Sequence, residues 1–221
     1  AADAGMAISG LHWLLVKPPG LSITSEDPAV RQRTLHWLRG MIDLCADLGG
    51  QVLVHGSPAQ RRLPDGPDAA AARQHAIDTF AVLAEHAHSV GVTYCIEPLA
   101  PPTANFITSV EEAVAIVREI GEPGLRTMLD CCAAGRAEAE SPETLLERWL
   151  PSGLIAHVQL NDPNGRGPGQ GEQAVKPVLD ALQRHGYRGW VAVEPFEYVP
   201  DGPACAARAI GYLRGMLEGT E

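Results

Sequence analysis

Alternation limits the fold of this chain more than any other feature. Six short runs rich in apolar and β-branched residues are each followed by a longer stretch of helical character. The runs are "GMAISGLHWLL", "QVLVHGS", "TYCIEPL", "LRTMLDC", "IAHVQLND" and "WVAVEPFE". The helical stretches carry their own punctuation. "DPAVRQRTLHWLRGMIDLCADLGG" opens on Asp27–Pro28 and closes on Gly49–Gly50, the expected N-terminal proline and C-terminal glycine. "DAAAARQHAIDTFAVLAEHAHSVG" closes on Gly91. "SVEEAVAIVREIG" opens on Ser109 with Glu112 three residues on, a capping box. "SPETLLERWL", "QAVKPVLDALQRHG" and "DGPACAARAIGYLRGMLEG" complete the set. A repeated strand–helix order predicts parallel strands joined by right-handed crossovers, within an α/β fold.

Two architectures share that order, a doubly wound sheet and a (β/α)8 barrel. The doubly wound fold usually shows a GxGxxG turn after its first strand, and the first run lacks one. A barrel places its chemistry at the carboxyl ends of several strands. Here Glu97, Asp130, Gln159 and Glu194 stand at the ends of four consecutive runs, and His12 and His55 end two more. The barrel is therefore the expected fold.

A lone carboxylate at a strand end is ordinarily solvated or salt-bridged. Equivalent places in consecutive strands are harder to dismiss. Three carboxylates converging in a partly dry site repel one another, and protonation or a bound cation relieves the repulsion. A set of three carboxylates and one amide suits Mn²⁺ or Mg²⁺, with Co²⁺ as a further fit, whereas zinc more often takes His or Cys. His157, Gln159 and Asn161 share one face of the fifth run because strand side chains alternate. The adjacent Cys131 and Cys132 point apart in a strand and read as packing residues.

Composition removes other classes. A formal net charge of −10 argues against nucleic acid or an anionic membrane as partner. No apolar run reaches the roughly 20 residues of a membrane span, and the opening residues predict no secretory leader. The five cysteines are odd in number and form no CxxC pair, which predicts free thiols and a cytoplasmic protein.

In this order and spacing, "CIEPL", "MLDCC", "HVQLNDPNGRGPGQGE" and "GWVAVEPF" resemble the xylose-isomerase-like TIM-barrel superfamily. Within it, the nearer likeness is to ketose 3-epimerases and hydroxypyruvate isomerases. The likeness covers nearly the whole chain and is strongest from Glu97 to Phe196. It implies one divalent metal held by Glu97, Asp130, Gln159 and Glu194. Epimerases usually place His at the third position; Gln159 matches hydroxypyruvate isomerases. Ala133 and Thr103 stand where epimerases often carry His and Glu, while the loop arginine is kept as Arg166.

The resemblance implies a metal-dependent sugar isomerase or epimerase working through an enediolate of a small ketose or hydroxy-carbonyl substrate. Glu97 and Glu194 are the expected acid and base. His12, His55, Asn105, His157 and Arg166 are expected to bind the sugar. One rival reading is an abasic-site endonuclease of the same superfamily, disfavoured by the acidic charge and by Ala133. Another is a degenerate, non-catalytic barrel acting as a binding protein. The family's barrel has eight strands and this chain shows six, so the first two are expected to be missing. The expected domain is a single one over 1–221, incomplete at its N-terminus, with a homo-oligomer covering the open edges.

Overall fold

A computed structural model describes residues 1–219. The last two residues of the expected 1–221 domain lie outside the described residues. By internal contacts the chain divides into two compact units, Ala1–Thr127 and Met128–Glu221.

The first unit carries strands β1 (Gly10–His12), β2 (Val52–His55), β3 (Thr93–Ile96) and the opening of β4 (Leu125–Asp130). Neighbouring strands pair in parallel, with Leu11 opposite Leu53, Val54 opposite Cys95 and Ile96 opposite Thr127. Helices α1 (Pro28–Asp47), α2 (Ala69–Ser89) and α3 (Val110–Ile120) alternate with them. The cap signals operate largely as expected. Asp27 accepts from Ala29 N at 2.8 Å. Ser109 Oγ accepts from Glu112 N at 3.1 Å, but Glu112 Oε2 reaches back to Thr108 N rather than to the cap residue itself. On α3, Val110, Ala113, Val114 and Val117 are buried at the helical spacing of one face. Full burial of a Val side chain contributes about 1.5–3 kcal/mol, so this face docks the helix firmly.

The first run departs from its expected length. Only Gly10–His12 form strand, because the backbone turns away at Trp13 with φ of 57°. Gly10 packs so closely on β2 that a Cβ there would meet Val52 O at 2.0 Å.

The second unit holds the end of β4, then β5 (Ile155–Leu160) and β6 (Trp190–Val193), in that order and parallel. Gln159 lies opposite Ala192 in the β5–β6 register. Helices α4 (Cys131–Ala137), α5 (Pro142–Trp149), α6 (Val175–Arg184) and α7 (Gly202–Glu218) surround them in sequence. Helix α4 is new relative to the sequence reading. It starts at once after β4, with Asp130 as both the last strand residue and the helix N-cap. All six expected strands are present, and no seventh occurs among the described residues.

Candidate active site

Each unit contributes its own strand-end cluster. In the first, β3 ends at Ile96 and delivers Glu97, which is 3% exposed. Its Oε2 lies 3.1 Å from His12 Nε2, at the end of β1. The carboxylate rests against Gly56, just past β2. A Cβ at Gly56 would stand 1.8 Å from Glu97 Oε2 and 2.6 Å from His12 Nε2. Here glycine serves space rather than backbone conformation: any side chain would evict the carboxylate.

His55 is fully buried beneath this layer. Its Nδ1 is 2.6 Å from Tyr94 Oη, and its ring meets Phe80 edge-on at 5.4 Å. Burial, followed by the nearby Arg61 and His12 charges, pulls its pKa down to about 3, so the ring is neutral at pH 7. Arg61 is also fully buried, in a 3₁₀ turn, and donates to His55 O at 3.1 Å. Burial lowers its pKa to about 10, opposed by Glu97, Glu112 and Tyr94, and it remains a cation. Sequence reading missed Arg61, because an arginine in a polar loop gives no sign that it will be enclosed. Asn105 clamps a neighbouring loop: its Oδ1 accepts from Leu63 N at 3.0 Å, and its Nδ2 donates to Leu63 O at 2.9 Å.

In the second unit Asp130 is 4% exposed. Its Oδ1 accepts from Ala133 N at 2.6 Å and its Oδ2 from Asn161 Nδ2 at 2.7 Å. Asn161, the first residue after β5, also accepts from Cys132 N at 2.6 Å and donates to Glu194 O at 3.1 Å. His157 and Gln159 are buried along β5, at 4% and 3% exposure. Glu194 follows β6 directly and is half-buried. Asn161 was not among the expected site residues. The signal for it was its shared strand face with Gln159.

The loop after β5 is organised by a second residue that sequence reading passed over. Asp162 is buried and accepts from Asn164 N at 3.0 Å and from Gln173 N at 2.8 Å. Gly165 O accepts from both Phe196 N and Glu197 N, which ties this loop to the one after β6. Arg166 is half-buried on that double loop, with Nε 3.3 Å from Glu197 Oε2.

The donor chemistry fits a hard divalent cation. Asp130, Gln159 and Glu194 offer carboxylate and amide oxygens at the ends of β4, β5 and β6, and Glu97 ends β3. An ionised carboxylate oxygen accepts more than one partner, so the bonds that position Asp130 are compatible with a ligand's part. The cysteines do not compete. All five are free and buried, and burial raises the Cys95 and Cys131 thiols well above the usual range and Cys132 to about 11. A protonated thiol is a poor ligand.

Comparison with known proteins places the chain. Among curated proteins it is 28% identical over 208 residues to a Streptomyces coelicolor protein named "Putative hydroxypyruvate isomerase", covering 87% of this chain and 70% of that one. It is 23% identical over 198 residues to the fructoselysine 3-epimerase of Shigella flexneri, covering 86% and 69%. A solved structure of L-ribulose 3-epimerase superposes with a TM-score of 0.80 at 23% identity, over 99% of this chain and 77% of that one. At that identity the likeness shows the fold, which is the TIM-barrel type expected from the alternating runs. Among the described residues no helix is long and apolar enough to cross a membrane. A family model described as xylose isomerase-like TIM barrel matches residues 1–216. The strand order, the strand-end donors and this match agree, and the chain belongs to the xylose isomerase-like TIM barrel family.

Proposed function

We propose that this chain is a divalent-metal-dependent isomerase or epimerase of a small ketose or hydroxy-carbonyl sugar. One observation carries the reading. Four oxygen donors end four consecutive strands, in a family whose matched relatives are named as sugar isomerases and epimerases. In this reading Glu97, Asp130, Gln159 and Glu194 hold one Mn²⁺ or Mg²⁺, with Co²⁺ as a third fit. The bound ion would polarise the substrate carbonyl and offset the negative charge that develops on it.

The protein's own groups do the rest. Glu97 or Glu194 removes the proton from the carbon beside the carbonyl, which leaves an enediolate, and the other returns a proton. Return to the same carbon from the opposite face inverts it; return to the neighbouring carbon, with the hydroxyl proton passing to the other oxygen, isomerises the sugar. His12, His157 and Arg166 are the proposed contacts to hydroxyls or a carboxylate. His55 and Asn105 take a supporting part, because one is enclosed and the other is committed to Leu63. A reducing, cytoplasmic setting accords with five free thiols. A homo-oligomer is supported by exposed apolar surface on the second unit, with Trp190 at 40%, Phe196 at 50% and Tyr198 at 58% exposure. A monomer by light scattering contradicts the oligomer.

The test is turnover of a panel of ketoses and hydroxypyruvate by metal-stripped protein, with and without Mn²⁺. Metal-dependent conversion is expected, with Glu97→Gln and Glu194→Gln each losing about 10²–10⁴-fold. Cleavage of abasic DNA without sugar turnover would move the chain to the nuclease branch of its superfamily. Sugar binding without conversion would make it a binding protein.

A further inference from the structure

The side chain of Asn161 is 1% exposed and joins three elements of the second unit. Its Oδ1 faces the N–H of Cys132, in the first turn of α4, at 2.6 Å. Its Nδ2 faces Asp130 Oδ2 at 2.7 Å and Glu194 O at 3.1 Å. A carboxamide has two N–H donors and one carbonyl oxygen, and here both donors and the oxygen are in use. The orientation is fixed by its neighbours. Turning the amide over would set its NH₂ against the Cys132 N–H and its oxygen against the Asp130 carboxylate, two repulsive contacts in place of attractive ones.

The consequence falls on Asp130. Its Oδ1 is held by Ala133 N at 2.6 Å and its Oδ2 by Asn161. One donor on each oxygen fixes the rotation of the carboxylate as well as its position. The helix cap needs only the first of these bonds. The second comes from a different strand end, and the same amide grips the backbone of Glu194. A single buried side chain therefore ties one proposed metal ligand to the main chain of another.

We infer that Asn161 is a positioning residue, whose amide orients the Asp130 carboxylate and the Glu194 backbone and thereby sets the affinity of the second unit's donors for a divalent cation. The inference rests on the metal-dependent reading above. Groups that hold ligands in this way typically govern metal affinity by 10–100-fold when removed.

The experiment is Mn²⁺ titration calorimetry on the metal-stripped full chain, with thermal melts of the same samples lacking metal. Wild type, Asp130→Ala, Asn161→Leu and Asn161→Asp are compared. Asn161→Leu keeps the volume and removes the donors. It is expected to bind Mn²⁺ about 10–100-fold more weakly, by more than its metal-free melting temperature predicts. Asn161→Asp is nearly isosteric and keeps an acceptor for Cys132 N, but it sets a carboxylate against Asp130. Weaker binding supports positioning; unchanged binding means that the amide donor does not set the affinity, tighter binding that local charge does, and either overturns the inference. A folded Asn161→Leu with wild-type affinity overturns it equally. If wild type binds no Mn²⁺, or Asp130→Ala binds it as wild type does, the metal-dependent reading itself fails. Loss in Asp130→Ala without loss in either Asn161 variant removes only the role of Asn161.

Discussion

Glu97 and Asp130 occupy equivalent places, one residue past β3 and at the last residue of β4, yet the two units hold them by different means. Asp130 is gripped on both oxygens, by the Ala133 amide and by Asn161. Glu97 takes one side-chain contact, from His12 to Oε2, and is otherwise located by the space that Gly56 leaves. Among the described residues nothing bonds its Oε1. Directional bonds to both oxygens suit a carboxylate whose only task is to be a ligand. A carboxylate that must also carry a proton needs one oxygen left for that purpose. The contrast agrees with the division of labour proposed above, in which Glu97 is acid or base and Asp130 is not.

The strongest way to break this comparison is Gly56→Ala. The methyl group would lie within 1.8 Å of Glu97 Oε2, so the carboxylate must leave its place. Turnover should fall by about 10²-fold or more, approaching the loss in Glu97→Gln. Stability should drop by about 1–3 kcal/mol, as in other overpacked sites. Steady-state kinetics together with a denaturant melt read both effects. A variant within a few-fold of wild type would show that Glu97 is not placed by this gap.

His12→Leu is gentler. It removes one hydrogen bond to a buried carboxylate. If His12 orients Glu97, kcat/KM should fall by roughly 10–100-fold, with the metal-free melt little changed. Equal losses in rate and in folding stability would assign His12 a structural part instead.

A change that touches stability and not the site's chemistry sharpens the comparison from beneath. His55 has its folded pKa lowered from 6.5 to about 3. Between those values the unfolded chain binds the proton that the folded chain refuses. The stabilising contribution is therefore complete above pH 6.5 and is lost as the pH falls toward 3. From pH 7 to pH 4.5 this amounts to about 3 kcal/mol. In urea melts, His55→Gln should show a shallower loss over that interval than wild type. Parallel curves for the two proteins would mean that His55 is protonated without cost and is not sealed.

Much of the molecule was legible in the chain. Strand–helix alternation follows from side-chain period, and helix starts follow from short-range bonds such as Asp27 to Ala29 N, so both can be read locally. The strand-end donors were visible because Glu97, Asp130, Gln159 and Glu194 break apolar runs at the same point in four consecutive units. The roles of their supports were not visible. Arg61 is a polar residue in a polar loop, Asn161 showed only its strand face and not its partners, and Gly56 reads as an ordinary turn glycine. Each acquires its role from an atom far away in sequence: the Glu97 charge for Arg61, Asp130 and Glu194 O for Asn161, and Glu97 Oε2 for Gly56.

The strands β2 and β6 mark the boundary between the two kinds of knowledge. "VLVH" and "WVAV" read alike, as short apolar runs in a parallel sheet. In the structure every residue of β2 is buried, while Trp190 and Val191 of β6 are exposed. The sequence by itself determined that both would be strands, because β-branched and aromatic side chains favour the extended, pleated backbone wherever they lie. Only the tertiary structure decided which would be covered. β2 has β1 on one side and β3 on the other, whereas among the described residues β6 ends the strand order with β5 as its one strand neighbour. Burial depends on what packs against a residue from elsewhere in the chain, and no local pattern encodes that.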